Sequence, residues 1–223
     1  MVRIILNMSM NQSKLEVIKA VKELHTNLPD FLHDEFLLTG GAAALFYGSD
    51  RPFSHDVDFM FPKKYIETVS EALKVEFEMF RNKPVFHSLK VVYQTGGHDY
   101  DLVAQSIVEP QSGVSCTFEL NDMVYRNKKE LEEEGQKILL IPKELLFLIK
   151  LVAGRGEELG KYDLYDAEKI LEKNPDFDFG YLEKLIREFC QPLKKVLPFL
   201  EDRAGKIRHS ELERHLEFLR RSV

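Results

Sequence analysis

The chain has 223 residues, enough for one sizeable domain, or for a catalytic unit of roughly 150 residues plus a smaller helical one. A hydrophobic share of 44% with 30% charged residues excludes collagen-like, coiled-coil and disordered classes. A net charge of −6 excludes an overall basic coat for nucleic acid, although nine Lys/Arg against six acids between Arg187 and Val223 make that tail locally basic.

The opening run MVRIILNMSM is too short for a signal segment or a membrane span. Ser13 to Leu28 places Leu15, Ile18, Val21, Leu24 and Leu28 at spacings of three and four, which predicts an amphipathic helix stopped by Pro29. Ser13 with Glu16 fits a capping box for it. Glu35–Thr39 (EFLLT) reads as a buried strand, running into Gly40-Gly41. Ala42–Tyr47 then reads as a helix closed by Gly48, and 48–54 as loop. Asp56–Phe61 (DVDFMF) begins with strand alternation, and Lys63–Leu73 follows as a helix. VEFEMF, LKVVYQ, DYDLVAQ and SGVSCTFEL are short strand candidates, with Gly96-Gly97 as a turn between the second and third. Past Ile138 the pattern becomes helical, with Pro142 tolerated in the first turn of ELLFLIKLVAGR. The chain thus divides into an α+β unit over 1–141 and a helical unit over 142–223. Cys116 and Cys190 stand far apart without metal spacing, so no disulfide framework is expected, and a reducing, cytoplasmic setting is the simplest inference.

The chemistry concentrates in Gly40-Gly41 followed by Asp56-Val57-Asp58-Phe59. Side chains alternate along a strand, so Asp56 and Asp58 share one face while Val57, Phe59 and Phe61 take the other. Two close carboxylates repel unless a cation lies between them. Hard divalent ions such as Mg²⁺ accept carboxylate oxygens and keep waters and phosphates as further ligands. A pair of such ions, roughly 3.5–4 Å apart, clamps the attacking and leaving oxygens of a phosphoryl transfer. Glycines between a strand and a helix leave backbone N–H groups open to phosphate oxygens.

Residues 38–59, LTGGAAALFYGSDRPFSHDVDF, resemble the signature of the DNA-polymerase-β-type nucleotidyltransferase superfamily. Arg51 and Ser54 ahead of the aspartates are similar to the abortive-infection (type IV toxin–antitoxin) nucleotidyltransferase toxins. Two departures stand out. The spacer between Gly41 and Asp56 is fourteen residues, longer than the family's, and Arg51 lies one residue further from Asp56 than the pattern has it. The resemblance implies a mixed, twisted sheet with flanking helices, Mg²⁺ or Mn²⁺ on Asp56 and Asp58, and a third carboxylate from a neighbouring strand. Asp99 and Asp101 in HDYDLV share a face. Asp101, before the Leu-Val pair, matches the family position as metal ligand or base, with Asp99 in reserve. A second block, Lys150-Leu-Val-Ala-Gly-Arg155 and then Lys161-Tyr-Asp163-Leu-Tyr-Asp166, is similar to the downstream pattern of the same toxins. Asp163 and Asp166 are neighbours on one helical face. Lys150 in an apolar helix needs either a partner or a phosphate, or must snorkel to water; a triphosphate contact is the expectation.

The expected nucleotide site is therefore Gly40, Gly41, Ser54, Lys150, Asp163 and Asp166. The resemblance implies a nucleoside triphosphate and an acceptor hydroxyl as substrates, with RNA, tRNA in particular, as one acceptor and an antitoxin as a further partner. Two alternatives stand beside it. A catalytically inactive nucleotidyltransferase fold would act as a binding module or toxin–antitoxin component. A metal phosphohydrolase would use the His55-Asp56 and His98-Asp99 pairs, but those need helices, and both pairs read as strand or loop.

Overall fold

The computed structural model describes residues 10–51, 56–82, 86–156 and 161–223. Helix α1 (Met10–Asn27) buries Val17, Ile18, Ala20, Val21 and Leu24 at helical spacing and ends before Pro29. The capping box expected of Ser13 and Glu16 does not form, because the helix is already under way at Met10 and Ser13 is buried inside it. A 3₁₀ turn over Asp30–Glu35 leads into β1 (Leu37–Leu38), and α2 (Gly40–Phe46) follows at once. Then come β2 (Asp56–Met60), α3 (Ile66–Leu73), β3 (Phe77–Asn82), β4 (Phe86–Thr95), β5 (His98–Gln111) and β6 (Val114–Phe118). Gly96 and Gly97 both take positive φ, 56° and 92°, and make the two-residue turn that joins β4 to β5.

A short helix α4 (Asp122–Arg126) and the hairpin β7 (Lys129–Glu133)–β8 (Gln136–Leu140) complete the first part. The strands form one sheet in the order β3-β4-β5-β2-β1-β8-β7, with β6 beside the far half of β5. Pairing is parallel for β2 with β5 and for β1 with β8, and antiparallel elsewhere, so the sheet is mixed. The β4–β5 ladder shifts register between Leu89 and Lys90: Leu89 faces Gln105, Lys90 faces Val103, and Ala104 has no partner across the ladder.

From Lys143 onward the chain is almost all helix: α5 (Lys143–Ala153), α6 (Asp163–Lys173), α7 (Phe179–Phe189), α8 (Leu193–Ile207) and α9 (Ser210–Arg221). The fold is α+β, with a helical C-terminal run. One hydrophobic core passes through both parts, from Val17 in α1 to Leu219 in α9. Tyr47 at the end of α2 fastens them, donating its hydroxyl to Ile141 O at 2.7 Å and accepting from Asn174 Nδ2 at its carbonyl, 2.9 Å.

The two cysteines depart from expectation. The two-residue strand β9 (Cys190–Gln191) pairs with β6, which sets Cys190 opposite Cys116, and the two are joined in a disulfide. Their separation of 74 residues conceals a neighbourhood that only the β6–β9 register creates. The cysteine argument for a reducing setting falls with it. Among the described residues no helix is long and apolar enough to cross a membrane.

Candidate active site

Strands β2 and β5 run parallel, with Asp56 opposite Asp99 and Asp58 opposite Asp101. Alternation sends Val57, Phe59, Tyr100 and Leu102 into the core, so the four aspartates occupy the opposite face in two adjacent rungs. Asp56, at the strand end, is exposed, and Asp58 is partly buried. Burial raises the pKa of the Asp58 carboxyl above the ordinary carboxylate value. The negative charge of Asp101 adds to the shift, and Lys150 and Lys161 oppose it. Asp101 keeps 40% of its side chain exposed and accepts from Lys90 Nζ at 2.6 Å, while Asp99 accepts from Gln94 Nε2 at 2.7 Å.

The glycine pair is fitted onto this face. Thr39 N–H donates to the carbonyl of Asp58 at 2.9 Å, tying the turn to the acidic strand. Gly40 has φ +60°, and any Cβ there would run into the Asp58 carboxylate. A Cβ at Gly41 would meet the Arg51 guanidinium. The space left by the two missing side chains is thus taken by Asp58 and Arg51, and the glycines are needed for that approach.

Behind Arg51 lies a buried ionic cluster. Asp163 and Asp166 open α6, and Lys150 reaches both from α5, at 3.1 Å and 2.9 Å. Arg155 adds Nε at 2.7 Å and its backbone N–H at 3.2 Å to Asp163 Oδ2. Ser49 Oγ donates to Asp166 Oδ1 at 2.8 Å, and Arg51 Nε stands 3.3 Å from the same oxygen. Asp163, Asp166 and Lys150 are all buried. Burial alone would raise the Asp163 pKa, but Lys150 and Arg155 outweigh it and hold the carboxyl below the ordinary value. Arg51 Nε and Asp166 Oδ2 are buried without a well-formed hydrogen bond, so the cluster is charge-paired but not fully satisfied.

The structure therefore brings Gly40, Gly41, Asp56, Asp58 and Asp101 to one face. It gathers Lys150, Asp163 and Asp166 with one another, linked to that face through Arg51. The partner that Lys150 requires is carboxylate, from α6. Ser54 and His55 lie outside the described residues. Ser49 and Lys90 were missed from sequence. Ser49 is an ordinary loop serine there, and Lys90 an ordinary strand lysine. His98 belongs elsewhere: it is buried, with Nδ1 3.1 Å from Glu23 of α1, while Asp99 faces the other side of the sheet. A His-Asp hydrolase pair is thus not formed at His98-Asp99. The basic tail is partly self-neutralised, Arg220 pairing with Glu201 at 3.2 Å and Arg221 with Glu217 at 2.5 Å.

Among the described residues no three His, Cys, Asp or Glu side chains are already gathered closely enough to hold a metal ion. The donor chemistry nonetheless fits a hard divalent cation. The donors are carboxylate oxygens, and the partly buried Asp58 forms with Asp101 a close like-charge pair that a hard cation between them would relieve.

No protein-family model matches the chain. No curated protein matches it in sequence. Among solved structures, it is similar to a candidate nucleotidyltransferase from Thermotoga maritima, with 16% identity over 65% of this chain and 89% of that one and a TM-score of 0.49. It is also similar to the lincomycin-bound lincosamide antibiotic adenylyltransferase LnuA, with 19% identity over 71% and 95% of the two chains and a TM-score of 0.38. An antigenic nucleotidyltransferase-like protein from Paracoccidioides brasiliensis matches at 17% identity over 88% and 93%, with a TM-score of 0.39.

Proposed function

We propose that the chain is a metal-dependent nucleotidyltransferase, moving a nucleoside monophosphate from a nucleoside triphosphate to an acceptor hydroxyl. The observation that carries this reading is the parallel register that sets Asp58 beside Asp101, with Asp56 one step along the same face. Asp56, Asp58 and Asp101 would hold Mg²⁺ or Mn²⁺. When bound, the ion would neutralise charge at the phosphates and ease deprotonation of the attacking hydroxyl. Asp101, whose side chain is 40% exposed, would accept the acceptor's proton. The acceptor oxygen then bonds to the α-phosphorus, the bridge to the β-phosphate breaks, and pyrophosphate leaves. The Lys150–Asp163–Asp166 cluster would hold Arg51 against Gly41, in the turn next to the acidic face, where a triphosphate would arrive.

Transfer of label from each α-labelled triphosphate to RNA, lysate protein and small alcohols tests the reaction and identifies the acceptor. Asp58→Asn should abolish transfer in Mg²⁺, and Asp101→Asn should lose far more than Asp99→Asn, because Asp99 is bound to Gln94 at the outer rung. Wild-type turnover in Asp58→Asn sinks the proposal. If RNA is the acceptor, neutralising Arg208, Arg214, Arg220 and Arg221 together flattens the salt dependence of transfer.

A further inference from the structure

The cation that already sits on the acidic face is Lys90. Its Nζ lies 2.6 Å from Asp101 Oδ2, and the side chain is only 14% exposed. The ammonium also stands 4.5 Å from the centre of the Phe80 ring on β3, so its stem is walled on the edge side. This placement depends on the register shift in the β4–β5 ladder. Phe86 to Leu89 pair with Val108 to Gln105 in one register. Continued without a break, that register would set Lys90 opposite Ala104, whose side chain lies on the buried face with Tyr100 and Leu102. Skipping Ala104 sets Lys90 opposite Val103 instead, on the same face as Asp101. The same shift carries through the rest of the ladder to Thr95 and His98, so Lys90 is the first residue of β4 past the shift, and it faces the carboxylate side of β5.

We propose that Lys90 is a positioning residue that occupies Asp101 in place of a divalent cation, and surrenders that oxygen when the cation binds. The inference rests on the metal-site reading above. Without the ion, the ammonium offsets the repulsion among the rungs of aspartates. With the ion, it competes for the same carboxylate, so it keeps the face ordered at the expense of affinity. A lysine kept only for packing would not oppose the ion.

The test is Mn²⁺ binding to the nucleotide-free protein, measured by titration calorimetry, with the thermal midpoint recorded in parallel. Lys90→Met keeps the stem against Phe80 and removes the charge. It should lower the metal-free midpoint and tighten Mn²⁺ binding about fivefold, the equivalent of one partly exposed ion pair. Lys90→Arg, which keeps the charge, should bind Mn²⁺ as the wild type does. Lys90→Gln provides the same charge removal if the methionine variant does not fold. Mn²⁺ affinity that is unchanged or weaker in the charge-removed variants overturns the role of Lys90 while leaving the metal site standing. A wild-type protein that binds no Mn²⁺, or an Asp58→Asn variant that binds it equally well, overturns the metal-site reading and the Lys90 inference together.

Discussion

Replacing Lys150 with methionine removes one cation from two buried carboxylates while nearly preserving the volume of the α5 side chain. Asp163 keeps the Arg155 guanidinium at 2.7 Å and the Arg155 N–H, and Asp166 keeps Ser49 Oγ at 2.8 Å and Arg51 at 3.3 Å. Neither acid is fully orphaned, so the cost belongs at the lower end of that for breaking a buried pair, about 3 kcal/mol. For a chain of this size each kcal/mol moves the thermal midpoint by roughly 2–4 °C, giving a fall of about 6–12 °C. Urea denaturation of Lys150→Met against wild type measures it directly. Adding Asp163→Asn and Asp166→Asn to the same chain should recover much of the loss, because the remaining cations, Arg51 and Arg155, reach water more easily than the acids do. The same two variants, assayed for triphosphate binding below their midpoints, separate a phosphate contact by Lys150 from a purely structural one. A Lys150→Met protein within about 1 kcal/mol of wild type would refute the reasoning, since it would mean that water already screens the cluster.

Two further outcomes follow from the geometry. His25, stacked on His33 with ring centres 4.3 Å apart, is pushed down to about 4 by burial and then by the His33 charge, with Asp34 opposing. The folded state therefore favours its neutral form. That stability is complete above the ordinary histidine value and is lost as pH falls from about 6.5 towards 4, so His25→Gln should flatten the wild-type loss there by about 1–2 kcal/mol, read by denaturation at a series of pH values. Gly40→Ala forces a side chain into left-handed backbone, at about 1–2 kcal/mol, and into the Asp58 carboxylate. Both urea stability and Mn²⁺ affinity should fall, and a variant with normal Mn²⁺ binding would separate the glycine from the acidic face.

Much of this arrangement was legible in the chain, for reasons that also mark where reading stops. Alternation alone puts Asp56 and Asp58 on one face of β2, because Val57 and Phe59 demand the core. That β5 lies beside β2 in parallel is not written in either segment. The register Asp58–Asp101 comes from packing across the whole sheet. Lys150 announces itself as a lysine among leucines, but its partners become visible only when α5 and α6 lie side by side. The bulge at Ala104 leaves no mark in DYDLVAQS, which reads as an unbroken strand. The hairpin β7–β8 escaped because β7, at the sheet edge, exposes nearly every residue of KELEE and so shows no apolar alternation. The cysteine pair escaped because a two-residue strand, β9, carries no periodicity at all.

The parallel pairing of β2 with β5 is non-local, and its sequence separation predicts that it forms after the neighbouring meander. Strands β3, β4 and β5 are consecutive and joined by short connections, so they can close as a meander from local contacts. Strand β2 must then dock against the free edge of β5 from about forty residues away in sequence, with a larger loss of chain freedom. The aspartates of the two strands would then meet after the meander has brought Lys90 to Asp101. On that order the like charges would meet with Asp101 already paired to Lys90, so part of their repulsion would be offset before the two strands join.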